Sequence, residues 1–170
     1  MLHRNSRRAT APFITVQCAA KPDDVLDAEL FGRAITESDG STSQTGAFQQ
    51  ADGGTLFLNG IGDLSPSMAA RLIGTLQHRK IRPVGNRPGG PIDVRVLTAS
   101  SRDLESALEA GTLSRDLFFL LNVVSLELPP LRSRGSDVLL LAQAFIEQSA
   151  ARAVKPVRGL NESVAERLLN

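Results

Sequence analysis

The sequence contains no tryptophan and no tyrosine, and its aromatic content is seven phenylalanines. Few large amphipathic anchors are therefore present for a binding face. Cys18 is the only cysteine. An internal disulfide is excluded, in keeping with a reducing cytoplasm. The two histidines, His3 and His78, are far apart and have no cysteine cluster near them. No zinc-type donor set results, and no metal is expected. No apolar run approaches the roughly 20 residues that a spanning helix needs. Arg4, Arg7 and Arg8 are not followed by an apolar stretch, which excludes a secretory signal. Neither sign of charge dominates: 19 Lys and Arg face 18 Asp and Glu, for a net charge of +1. A broad nucleic-acid or membrane surface is not expected from that balance. What the chain does have is 170 residues with 42% hydrophobic content. That is enough for one globular core. Internal repeats and low-complexity tracts are lacking.

The most informative stretch is Gly53 to Leu64, GGTLFLNGIGDL. Leu56 to Leu58 is a short apolar run bounded by glycines, too short for a helix, and it reads as a buried strand. In nucleotide hydrolases of the P-loop class such a strand often ends in an acidic pair. The first carboxylate holds magnesium through its water shell. The second orients or deprotonates the attacking water. Here those two places are Asn59 and Gly60. One brings no negative charge and the other no side chain. Read alone, Asn59-Gly60 is equally a hairpin turn, because both residues tolerate positive φ.

Along the chain, Leu2 to Arg8 is basic and helix-compatible. Phe13 to Gln17 is β-branched and reads as a strand. Pro22-Asp23-Asp24 starts a helix with proline and acids in its first turn, and Gly32 stops it. Arg33 to Thr45 is polar, without periodicity, and reads as an exposed loop. Ser65-Pro66 is an N-cap followed by proline at the first helical position. Met68, Leu72, Ile73 and Leu76 form the apolar stripe of that helix. Ile81 to Ile92 reads as a hairpin with a Gly/Pro tip. It lacks the lysine and following helix of a phosphate cradle. Val94 to Ala99 is a second buried-type strand. Asp103 to Ala110 is a helix closed by Gly111, and Ser114 to Leu121 a short buried helix. Val123 to Leu128 reads as another strand. Pro129-Pro130 is a stiff break. Asp137 to Ala153 is a long amphipathic helix, and Glu162 to Leu169 begins another. Strands alternate with helices up to Leu128, and helices alone follow. That order gives an α/β fold with a parallel sheet and an appended helical part.

Five stretches together resemble the sigma-54 interaction domain, the central AAA+ ATPase domain of bacterial enhancer-binding transcriptional regulators. They are Phe13 to Ala20 (FITVQCAA), Glu29 to Gly32 (ELFG), Gln50 to Leu58 (QADGGTLFL), Arg115 to Val124 (RDLFFLLNVV) and Leu128 to Arg134 (LPPLRSR). The resemblance favours a Walker B strand and turn at Gly53 to Leu64 over a free-standing hairpin. It implies a P-loop NTPase-type parallel sheet flanked by helices, followed by the start of a helical lid. The first strand and the phosphate loop would lie before His3, and no G-x-x-x-x-G-K-[ST] motif occurs in the 170 residues. The implied organisation is a partial α/β subdomain at 1–128, a hinge at 129–136 and the beginning of the lid at 137–170.

The resemblance also implies which positions carry chemistry. Asn59 and Gly60 take the Walker B places. The sensor position, a Thr-Asn pair in the family, is Ser100-Ser101. The trans-acting arginines map to Ser114 and Leu120. Arg115 adjoins the first of these, but one residue on a helix turns a side chain by about 100°. Arg132, Arg134 and Asp137 match the family's hinge near the adenine site. The sigma-contacting loop would be Arg33 to Thr45, which lacks the family's Gly-Ala-Phe-Thr-Gly-Ala motif. The family's cofactors are ATP and Mg2+. Its partners are further copies of itself in a ring and the sigma-54 RNA polymerase, with DNA bound through a domain outside this chain and no membrane. Three readings remain: an ATP-driven activator, a non-hydrolysing oligomerisation or regulatory module, and a decayed truncated reading frame. The departures fall on the catalytic and sigma-contacting positions while the fold-forming stretches persist. A fragment of a sigma-54-type regulator without ATP hydrolysis is the reading they favour.

Overall fold

The computed structural model describes residues 1–37, 40–82, 89–150 and 159–169, the side chains of 34–43 excepted. The chain forms two compact units, Met1–Val124 and Ser125–Asn170.

The first unit is built on a parallel sheet of β1 (Phe13–Gln17), β4 (Thr55–Asn59) and β5 (Arg95–Ala99), in the order β1-β4-β5. In register, Phe13 faces Thr55 and Gln17 faces Asn59 on one side of β4. On its other side Leu56 faces Val96 and Asn59 faces Ala99. The middle strand is the short apolar run, and Thr55, Leu56 and Leu58 are wholly buried. Helices α1 (Asp23–Phe31), α2 (Ala47–Gln50), α3 (Pro66–His78), α4 (Leu104–Glu109) and α5 (Arg115–Leu121) accompany the sheet. The α1 helix packs on α2, and α3 and α4 on α5. Phe31 and Phe48 stack at 5.6 Å between ring centroids, with the Arg71 guanidinium 4.3 Å over the Phe31 ring. Helix starts are as their sequences dictate. Ser65 accepts from the Met68 N–H with Pro66 at the first helical position, and Asp103 accepts from the N–H groups of Glu105 and Ser106. Gly32, at φ 83°, ends α1.

Four expectations need correction. Leu2 to Arg8 forms successive tight turns, such as Asn5 N–H to Met1 C=O, not a helix. They are tied to the sheet by Arg8, which donates to the carbonyls of Gly54 and Asp93 and pairs with the Asp93 carboxylate at 2.6 Å. Arg33 to Thr45 is not a loop. β2 (Arg33–Glu37) and β3 (Gly40–Gln44) form an antiparallel hairpin with Arg33 opposite Gln44. Its root closes because Gly32 and Gly46 let two backbones touch: a Cβ on Gly46 would lie 2.4 Å from the Gly32 nitrogen. The α5 helix is less buried than its composition implies, since only Leu117 is fully enclosed while Phe119 is 69% exposed. Val123 to Leu128 forms no strand. β-Propensity is realised only where a segment joins a ladder, and this one joins none among the described residues. The tip of the Gly/Pro segment, 83–88, lies outside the described residues. Its base is present as the antiparallel bridge of Lys80 with Pro91.

The second unit contains a 3-10 turn at Leu131–Ser133 followed by α6 (Asp137–Ala150), which packs on that turn and on α7 (Glu162–Leu169). Among the described residues no helix is long and apolar enough to cross a membrane.

Candidate functional site

In parallel α/β sheets ligands bind beyond the carboxyl ends of the strands. That edge here gathers Gln17, Asn59, Gly60, Ala99, Ser100 and Ser101. The backbone is closely knit: Cys18 N–H donates to the Asn59 carbonyl at 2.7 Å, and Gly60 N–H to the Ala99 carbonyl at 2.9 Å.

The side chain of Asn59 is turned sideways along the sheet. Its Nδ2 donates to Gln17 Oε1 at 2.8 Å, a pairing that follows from the register of β1 and β4. Gly60 is left-handed, φ 81° and ψ 38°, and precedes the 3-10 turn Ile61–Asp63. A Cβ added there would lie 2.8 Å from the Ala19 Cβ and 3.0 Å from the Ala19 nitrogen. The turn therefore suits glycine on two grounds, backbone sign and space. Asp63 is the nearby carboxylate, and it is spent on an ion pair with Arg102 at 2.5 Å.

Ser100 is used locally: its Oγ donates to the Arg102 carbonyl at 2.9 Å and accepts from the Arg102 N–H at 3.0 Å. The Ser101 side chain is exposed. Cys18 is buried, and burial pushes its thiol up to about 11, with Lys21 opposing and Glu29 reinforcing the shift. It is a protonated thiol at neutral pH and no nucleophile. Among the described residues no group of His, Cys, Asp or Glu is placed to hold a metal ion. Among the described residues this edge offers amides, hydroxyls and backbone, without a free carboxylate to activate water.

Residues 1–127 match the family model described as the Sigma-54 interaction domain. The chain belongs to the sigma-54 interaction domain family. Among its relatives is the transcriptional regulatory protein ZraR of Escherichia coli O157:H7, 40% identical over 172 residues, which cover 99% of this chain and 38% of ZraR. The sigma54-dependent transcriptional regulator SfnR of Pseudomonas fluorescens is 45% identical over 152 residues, covering 89% of this chain and 41% of SfnR. The crystal structure of NtrX from Brucella abortus superposes with a TM-score of 0.89 at 32% identity, covering 99% of this chain and 38% of NtrX. NtrX has also been crystallised in complex with ADP and with ATP. The chain thus spans about two fifths of the length of these relatives. The sheet and its helices are the P-loop NTPase-type AAA+ architecture.

Within this sigma-54 interaction domain the remaining positions are dispersed. Ser114 caps α5 by accepting from the Leu117 N–H. Arg115 is exposed and forms no ion pair among the described residues, and Leu120 is half-buried. Arg132 and Arg134 belong to the second unit, both exposed, where Arg134 pairs with Asp137 at 2.9 Å. Sequence reasoning missed Gln17, Ala19 and Arg102, which decide what Asn59, Gly60 and Asp63 are free to do. The first was within reach, because Gln17 and Asn59 are the last residues of two neighbouring strands.

Proposed function

We propose that the chain is the central domain of a sigma-54-dependent type of transcriptional regulator in which the hydrolytic machinery has been lost and a regulatory or assembly role kept. The observation that carries this reading is the Asn59–Gln17 hydrogen bond beside a left-handed Gly60. The first Walker B place is occupied by an amide committed to a neighbouring strand, and the second is a backbone position built around having no side chain. With Asp63 paired to Arg102, neither Walker B place nor its neighbour offers a free carboxylate among the described residues to hold magnesium or activate water. The residues present therefore do not fit Mg2+-dependent ATP hydrolysis, and no catalytic step is assigned.

Nucleotide recognition is a separate matter. Residues 129–136 serve as the hinge between the α/β part and the beginning of the helical lid, with Arg132 and Arg134 as the adenine-side contacts. Assembly with further copies follows the family. Engagement of the sigma-54 polymerase through the Arg33–Thr45 hairpin is not expected, since its sequence lacks the exposed phenylalanine of the family motif. DNA contacts fall to another domain.

Phosphate release from ATP by the purified chain tests this reading. Neither the chain nor its Asn59→Asp variant should release phosphate above the buffer blank. Turnover that disappears in Ser101→Ala or Arg115→Ala would overturn it.

A further inference from the structure

Six asparagines occur in the sequence, and Asn59 alone is followed by glycine. That dipeptide has a chemistry of its own. The backbone nitrogen of the following residue attacks the side-chain carbonyl carbon, Cγ. The side-chain nitrogen leaves as ammonia, carrying the proton lost from the attacking nitrogen, and a five-membered cyclic imide results. One water then opens the imide at either carbonyl. The products are aspartate and, with the backbone rerouted through the side chain, isoaspartate. Glycine favours the attack because no Cβ shields its nitrogen, and asparagine is a thermolabile residue.

The fold holds these reactants apart. Asn59 is the last residue of β4. Strand backbone at ψ of about +115 to +135° turns the Gly60 nitrogen away from Cγ, whereas ring closure needs both on one side of the Cα–C bond. The peptide unit that would have to rotate is bonded at both ends. Its carbonyl accepts from Cys18 N–H at 2.7 Å, and its N–H donates to the Ala99 carbonyl at 2.9 Å. The leaving group is engaged too, since Asn59 Nδ2 donates to Gln17 Oε1 at 2.8 Å. The Gly60 nitrogen is thus both the nucleophile and a sheet donor, and it cannot serve as both at once.

We propose that Asn59 is a deamidation site gated by opening of the sheet's carboxyl edge. Modification requires release of the bonds to Cys18 and Ala99, so its rate follows how often the end of β4 parts from both neighbours. The two products differ in consequence. Aspartate puts a carboxylate in the first Walker B place and leaves the strand intact. Isoaspartate adds one carbon to the backbone before Gly60, so the Gly60 N–H and the Ala99 carbonyl no longer meet in register and the edge stays open. The reaction consumes only water, and it proceeds whether or not the chain binds nucleotide.

Incubation of the 170-residue chain at mildly alkaline pH, followed by peptide mapping with mass detection, tests this. In denaturing urea Asn59 should deamidate faster than the other five asparagines, and Gly60→Ala should slow it there about tenfold or more. In the folded chain the Asn59 rate should fall roughly tenfold or more below its urea value. Gln17→Ala, which frees the Asn59 side chain, should raise the folded rate about two- to tenfold and leave the urea rate unchanged. Once refolded, the isoaspartate form should have a lower urea midpoint than the aspartate form. A folded rate equal to the urea rate, another asparagine leading in urea, a folded Gln17→Ala rate equal to the parent's, or equal midpoints for the two products would each overturn the proposal.

Discussion

Asn59 and Gln17, the last residues of two adjacent parallel strands, are joined side chain to side chain at 2.8 Å. The bond occupies the place at the sheet edge where a hydrolase keeps a free carboxylate. Gly60, the next residue, completes the closure through its backbone sign.

Replacing Gly60 with glutamate, the residue type that activates water in P-loop hydrolases, should therefore damage the fold before it restores any chemistry. A left-handed non-glycine residue costs about 1–2 kcal/mol, and the new Cβ must also displace Ala19. Together a loss of roughly 2–4 kcal/mol is expected, seen as a lower urea midpoint. Asn59→Asp, which lets Gln17 reverse its amide and donate instead, should change stability by less than ~1 kcal/mol. A Gly60→Glu midpoint equal to the parent's would refute the geometric account.

Acid should loosen the junction between α1 and α3. Asp23 Oδ2 accepts from Ser65 Oγ at 2.5 Å and Ser67 Oγ at 2.7 Å, and these two hydrogen bonds, Ser65 first, hold its carboxyl below the ordinary 3.8. A depressed folded-state pKa contributes stability that is present above 3.8 and lost as pH falls through the folded value. Asp103, lowered chiefly by Ser106, acts in the same direction. Thermal midpoints should fall below pH 3.8, and less steeply in Asp23→Asn. Identical acid profiles for the two proteins would rule this out.

Local signals were legible where the structure is local. The glycine-bounded run at Leu56–Leu58 became the middle strand, and Ser65-Pro66, Asp103 and Gly32 bound their helices as capping chemistry requires. The misses are non-local. The Arg33–Thr45 hairpin is a backbone ladder written in polar residues, so no hydrophobic alternation announces it. Val123–Leu128 has the alternation but joins no ladder among the described residues. At the site, the identities of Asn59 and Gly60 could be seen in advance. That Gln17 binds one, Ala19 confines the other and Arg102 takes Asp63 depends on strand register and a turn's handedness.

The buried thiol offers a probe of the first unit's integrity. Cys18 is 3% exposed and its thiol is pushed up from 9.0 to about 11 by burial. Below pH 9 it should react with an aromatic disulfide reagent only through transient opening, at a rate that jumps when urea unfolds the chain. A raised thiol pKa contributes stability present below 9.0 and lost as pH rises toward 11. Cys18→Ser should flatten that alkaline decline, whereas fast labelling of the folded chain at neutral pH would contradict the burial.

The root of the hairpin makes the sharpest structural demand. Gly46 meets the backbone of Phe31 and Gly32 so closely that a Cβ would sit 2.4 Å from two main-chain atoms and 2.6 Å from the Leu30 carbonyl oxygen. None of these is a flexible side-chain end, so the strain must be relieved by parting the backbones. Leu30, Phe31 and Phe48, all buried within two residues of the contact, would be pulled apart with it. Gly46→Ala should thus cost about 2–3 kcal/mol, while Gly53→Ala, where a Cβ meets nothing within 4 Å but φ is 73°, should cost about 1–2 kcal/mol from backbone sign alone. The ordering is the test. If urea midpoints placed Gly53→Ala below Gly46→Ala, the close approach of the two strands' ends would not be what holds the hairpin to the core.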